Sequence, residues 1–305
     1  MDIQPLSESY WEEPDNLEEI VGWSLSQGTT LLSLGAGVSR FAGLPNWEHL
    51  LKAVSQDAKL DREQRFSILS IEDPYERAQQ IKDEGFGGDR EAFLSSLREA
   101  LYCNTDVKSG ADTFADPGMQ ALSFLCSRSL RGGCSRVVTY NFDDLLSRLF
   151  NHIGSVSREV TSPYHVTSRA DVSIFHPHGV IRNDGECLVG NGIVICTDDR
   201  SDAVQTEWNH VLRALFSTHF PLLIGLSGFD DALLQNLRAA KGRHPFIQEK
   251  KWKYFGVSVG IGAMNVAALE EAGIKVLSFS KPEEWPQFVG KVCRSAAAGY
   301  DRYTD

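Results

Sequence analysis

The apolar positions of the chain change period twice. TTLLSLGAG is a short unbroken apolar run ending on glycines, the pattern of a buried strand, and a helix is expected to follow near VSRFAG. From NWEHLLKAVSQDAK onward the spacing switches to three and four residues. REQRFSILSI, DPYERAQQIKDE, DREAFLSSLREALY and PGMQALSFLCSRSL all read as amphipathic helices, with no convincing strand among them. Strand patterns return after Gly133 with RVVTYN, DVSIFHPHG, IVICTDD, FPLLIGLS, KWKYFGVSVG and IKVLSFS. The helical patterns DDLLSRLFNHIG, DAVQTEWNHVLRALFSTH, DALLQNLRAAKG and AMNVAALEEAG lie between them. Such alternation predicts an α/β fold, a Rossmann-like parallel sheet with helices on both faces. We expect one domain over 1–305: a core of about 28–45 and 133–285, a mostly helical insertion of about 46–132, and a C-terminal helix of about 282–298.

Composition narrows the classes. With 30 Lys and Arg against 41 Asp and Glu, the net charge is −11, which disfavours direct nucleic-acid binding. No apolar stretch approaches the ~20 residues that span a bilayer, and the acidic N-terminus lacks the apolar core of a secretory signal. The six cysteines (Cys103, Cys126, Cys134, Cys187, Cys196 and Cys293) include no C-x-x-C pair. Free thiols in the cytoplasm are therefore expected, and no zinc ribbon.

In parallel sheets, ligands sit at the carboxyl ends of strands, so the strand–helix junctions carry the candidate chemistry. The first is Gly35-Ala36-Gly37-Val38-Ser39-Arg40, whose glycines would let the backbone approach a diphosphate. It fails the G-x-G-x-x-G dinucleotide pattern, because Arg40 takes the last position. The second is Thr139-Tyr140-Asn141-Phe142-Asp143-Asp144, where Asn141 also suits a helix cap and Asp143 a first-turn acid. The third is Phe175-His176-Pro177-His178-Gly179. Its two histidines, two apart, would share a strand face and could also bind a metal. The fourth is Gly225-Leu226-Ser227-Gly228-Phe229-Asp230. Gly256-Val257-Ser258-Val259-Gly260 matches the G-x-S-x-G nucleophile elbow, but the last histidine, His244, precedes it. A hydrolase triad in its usual chain order therefore cannot close.

Taken together, GAGVSRFAGLPNW resembles the sirtuin signature GAG-(I/V)-S-x-x-x-G-(I/L)-P-D-F. It departs at Asn46, Trp47 and Glu48, where sirtuins carry Asp, Phe and Arg. The stretch from Thr139 to Leu146 resembles the T-x-N-x-D-x-L-L form of the sirtuin-like NADases of bacterial anti-phage defence, a branch that also lacks the zinc cysteines. The likeness runs over roughly residues 30–280. It implies an NAD+ hydrolase that uses NAD as substrate and needs no metal. Asn141 would place a water, His178 would act as base, since an imidazole titrates near ~6.5, and Asp143 would bind the departing carboxamide. Gly35, Ala36, Gly37, Ser39, Pro45, Trp47, Thr139, Gly225, Ser227, Asp230 and Ser258 would hold the dinucleotide. It further implies an effector that depletes NAD beside a separate sensor or activator protein encoded nearby, in a hetero- or homo-oligomeric assembly. An NAD-dependent protein deacylase and a non-catalytic NAD or ADP-ribose sensor are the alternatives; the missing zinc cysteines and Glu48 weigh against the first, and the pairing of Asn141 with His178 against the second. Trp11 and Tyr75 are expected to be exposed and available to a partner.

Overall fold

The computed structural model describes residues 8–40, 42–103, 109–127, 132–164, 170–183, 193–200, 203–228, 230–261, 264–281 and 284–301. Cys187 and Phe229 lie outside these. Seven strands, β1 (Thr30–Leu34), β2 (Arg136–Thr139), β3 (Ser157–Val160), β4 (Val172–Phe175), β5 (Phe220–Ile224), β6 (Gly256–Ile261) and β7 (Ile274–Phe279), form one sheet in the order β3-β4-β2-β1-β5-β6-β7. Every pairing is parallel. From β1 the chain builds one half of the sheet through β2, β3 and β4, then crosses back to place β5 on the other side of β1. The ends of β1 and β5 thus flank the switch point at which a doubly wound sheet opens a crevice.

Side-chain alternation along the strands sorts the core into two layers. Leu32, Leu34, Val137, Ile174, Leu222, Ile224, Val257 and Val259 face one cluster. That cluster includes residues of the helices Pro14–Ser26, Trp47–Asp57, Arg90–Tyr102, Pro117–Cys126, Leu145–His152 and Glu284–Asp301. Leu31, Val138, Phe175 and Leu223 face the other cluster, with the helices Ala203–Thr218, Asp231–Lys241 and Val266–Glu271. The sheet is therefore Rossmann-like and covered on both faces. Between β1 and β2 the described residues form helices from Trp47 to Cys126 and no strand.

Two expected strands and the expected exposure of Trp11 are not found as predicted. IVICTDD is not a strand. Residues 193–196 run as buried coil into the helix Thr197–Arg200. The Asp199 carboxylate accepts from the N–H groups of Ile195 (3.0 Å) and Cys196 (2.8 Å), and Arg90 donates to the Ile193 carbonyl at 2.9 Å. Side chains thus satisfy the backbone that a sheet would otherwise satisfy. KWKYFGVSVG becomes a strand only from Gly256. Trp11 is not exposed. It is fully buried and packs edge-on against Trp252 and Tyr254, with centroids 5.6 and 5.4 Å away.

Candidate functional site

A cavity of about 1040 Å³ opens at the carboxyl ends of the strands. Its floor is made by two junctions in close contact. A Cβ on Gly35 would lie 2.5 Å from the Gly225 carbonyl oxygen, and one on Gly37 would lie 2.8 Å from the Gly225 Cα. Gly225 itself has φ 70°, a left-handed conformation that glycine adopts without strain. The N–H groups of Gly35 and Gly37 donate to the carbonyls of Ile224 and Gly225, at 3.0 and 3.1 Å. These glycines are therefore needed first to lock the β1 and β5 ends together, and their donors are already engaged.

The turn after β2 is tied to the same floor. Thr139 Oγ1 accepts from the Asn141 N–H at 3.2 Å, fixing the turn. The Asn141 side-chain amide donates to the Gly35 carbonyl (3.1 Å) and to Ser39 Oγ (2.8 Å), and Ser39 donates on to Asp143 Oδ2 (2.6 Å). Asp143 Oδ1 in turn accepts from the Leu145 N–H at 3.2 Å, where the helix Leu145–His152 begins. Asn141 is therefore not the cap of that helix. It is the first link of a buried chain running Asn141–Ser39–Asp143. Burial pushes the Asp143 carboxyl up to about 6, against the opposing hydrogen bond from Ser39.

His178 reaches the cavity from the turn after β4. Its ring sits against Tyr140 (5.5 Å between centroids), Tyr75 (6.4 Å) and Phe142 (6.4 Å), and Trp47 stacks on Phe142 at 5.3 Å. His176 does not share a face with it. β4 ends at Phe175 and the chain turns at once, with the Gly179 N–H donating to the His176 carbonyl at 3.0 Å. His176 is buried within electrostatic reach of Glu159 and Arg182, and burial lowers its imidazole to about 4. No group of three or more His, Cys, Asp or Glu converges as a metal site among the described residues.

Of the sequence-derived positions, Gly35, Ala36, Gly37, Trp47, Asn141, His178, Gly225, Ser227 and Asp230 line the cavity. Ser39, Thr139 and Asp143 stand behind the wall and hold it. Pro45 lies in the loop that leads to the Asn46 cap of the helix Trp47–Asp57. Asp143 is buried, and both its oxygens are engaged, one by Ser39 and the other by the Leu145 N–H. Ser258 is a different case. It is fully buried in mid-strand, paired across the sheet with Leu223, and so faces the helix layer that Leu223 faces. From β6 it is Val259 and Gly260 that reach the cavity.

Sequence reasoning missed Tyr140, Arg40, Trp285 and the true place of Tyr75. Tyr75 is half-buried on the cavity wall, not a surface aromatic. The Tyr140 hydroxyl is buried without a hydrogen-bond partner among the described residues, and burial together with the nearby Asp230 charge pushes it well above its usual range. Its position within the T-x-N-x-D stretch was the available signal. Nothing local could have announced Tyr75 or Trp285, which arrive from the helix Pro74–Gln80 and the helix Glu284–Asp301.

Comparisons with known proteins bear on the fold. Residues 135–276 match the description of a SIR2-like domain. Among solved structures, one from work on the structural basis for the mechanism and regulation of Sir2 enzymes superposes with a TM-score of 0.52. It is 14% identical and covers 93% of this chain and 98% of that one. No curated protein matches the chain by sequence. The fold is thus SIR2-like, and the SIR2-like stretch is the one that carries Asn141, His178 and Asp230.

Proposed function

We infer that the chain is an NAD+ hydrolase, cleaving the bond between nicotinamide and ribose to give nicotinamide and ADP-ribose. The observation that supports this best is the meeting of Asn141 and His178 on one cavity above the glycine-locked floor of β1 and β5. Such a cleavage passes through an oxocarbenium-like ribose, as glycoside hydrolysis does. With both N–H bonds of Asn141 engaged by Gly35 and Ser39, its Oδ1 is the atom left to orient a water. His178 takes the proton as the water attacks. Asp143 holds Ser39 and hence the Asn141 amide, a positioning role in place of direct contact with the carboxamide. Trp47, Tyr75, Tyr140 and Phe142 offer aromatic faces that suit a planar nicotinamide. Ala36, Gly225 and Ser227 line the floor where a diphosphate would lie, with the Arg40 cation beside them.

No metal enters this reading. Glu48 on the cavity, where the resemblance has arginine, favours hydrolysis over protein deacylation. In the cell the chain would be the effector of an anti-phage system that depletes NAD beside a separate sensor. Asn141→Ala and His178→Ala should each lower nicotinamide release by ~10²-fold or more while the chain still folds, as checked by circular dichroism. The assay contains no acyl-peptide. Release that requires such a peptide indicates a deacylase, and NAD binding without release indicates a sensor. Near-wild-type turnover in both variants removes the assignment.

A further inference from the structure

Asp230 caps the helix Asp231–Lys241, its Oδ1 accepting from the Leu233 N–H at 2.8 Å. Asn, Ser or Thr would cap as well, so capping does not account for the charge. The second oxygen has another neighbour: Asp230 Oδ2 lies 4.0 Å from His178 Nε2. The two residues come from different strand ends, Asp230 after β5 and His178 after β4, and only the fold brings them together. The pair is sheltered, with side chains 28% and 9% exposed. The aromatic rings of Tyr140, Tyr75 and Phe142 around the imidazole lower the local dielectric and strengthen the attraction.

We propose that Asp230 is a positioning residue for His178: at 4.0 Å, ion-pair and not hydrogen-bond distance, its carboxylate charge favours the tautomer with the proton on Nε2, so that Nδ1 is the nitrogen that accepts the proton. The inference rests on His178 being the base of the hydrolysis described above. In that step the water O–H bond breaks and its proton goes to Nδ1, while the water oxygen bonds to the ribose carbon. The ribose–nicotinamide bond breaks, and its electron pair leaves with nicotinamide, which departs neutral. The imidazolium so formed stands beside the Asp230 carboxylate, which stabilises it as the second partner of a metal-free carboxylate–histidine pair.

Asp230→Asn is the informative variant, because asparagine keeps the cap and removes only the charge. The other charged or titratable groups on the cavity, Arg40, Glu48, Glu72, Tyr75, Arg77 and Tyr140, are unchanged by it. Two readouts are needed. NMR titration of His178, independent of turnover, should show its midpoint falling by at least about half a unit in Asp230→Asn. Nicotinamide release should fall about 10- to 100-fold in kcat, with KM for NAD within about threefold and the acidic limb of the pH–rate profile moving the same way. An unchanged His178 midpoint overturns the proposal. So does a loss confined to KM, which would make Asp230 a contact of the dinucleotide. Absence of nicotinamide release from the wild-type chain would instead count against hydrolysis, and the NMR titration would still decide whether the pair exists.

Discussion

Two buried titratable residues near the site respond to pH in opposite senses. His176 is held neutral by burial, its imidazole lowered to about 4 from an ordinary value near 6.5. Folding therefore favours the form that binds fewer protons. The stability this gives is complete above about pH 6.5 and is lost as pH falls towards and through about 4, with a ceiling of about 3 kcal/mol. Asp143, raised to about 6, works the other way. Its contribution is complete below its unfolded value near ~3.8 and is lost as pH rises through about 6. Comparing wild type with His176→Gln cancels Asp143 and isolates the histidine. Urea unfolding from pH 7.5 to 4.5 should show wild type losing ground to the variant as pH falls, and parallel profiles would refute this account.

At the level of elements, the contact between the β1 and β5 junctions sets the floor of the site. Gly225 combines a left-handed φ of 70° with a would-be Cβ 2.7 Å from the Val38 nitrogen, a backbone atom that cannot give way. Gly225→Ala should cost about 2 kcal/mol or more. Gly242→Ala, at φ −66° with nothing within 4 Å of its Cβ, should cost far less. Equal unfolding midpoints for the two variants would contradict the lock. The sequence told that glycines stand at both junctions, but not that they meet each other, because that depends on β5 returning beside β1. Strands with continuous apolar runs, such as FPLLIGLS, were legible because they are buried on both faces. The edge strand Ser157–Val160 was not, having one fully buried residue. The helix Pro14–Ser26 was also passed over, although Leu17, Ile20, Val21, Ser24 and Leu25 make a buried stripe at helical spacing behind Pro14. Its acidic surroundings masked the period. Asn141 and His178 were legible as motif residues; the partner of Asn141 through Ser39 and the neighbour of His178 at Asp230 were not, since both are made by the fold.

At the scale of the whole molecule, the cavity is walled by parts that are far apart in the chain. The helices between β1 and β2 contribute Trp47 and Tyr75, and the helix Glu284–Asp301 contributes Trp285. A protein that grips either helical region would therefore act one side chain away from the site. Under the reading of a restrained effector, the chain alone should turn over NAD slowly, enough for nicotinamide release to be followed in vitro, while cells carrying it alone should largely keep their NAD. Depletion over time should require its partner and phage together, and full constitutive depletion by the chain alone would contradict the idea. The tryptophans are also unevenly distributed. Trp11, Trp208 and Trp252 are buried away from the cavity and Trp23 packs beside Trp252, whereas Trp47 and the buried Trp285 border the cavity from opposite ends of the sequence. The molecule thus carries two intrinsic fluorophores on the cavity wall, where a bound electron-poor ring would quench them, against a constant background from the four tryptophans set away from it.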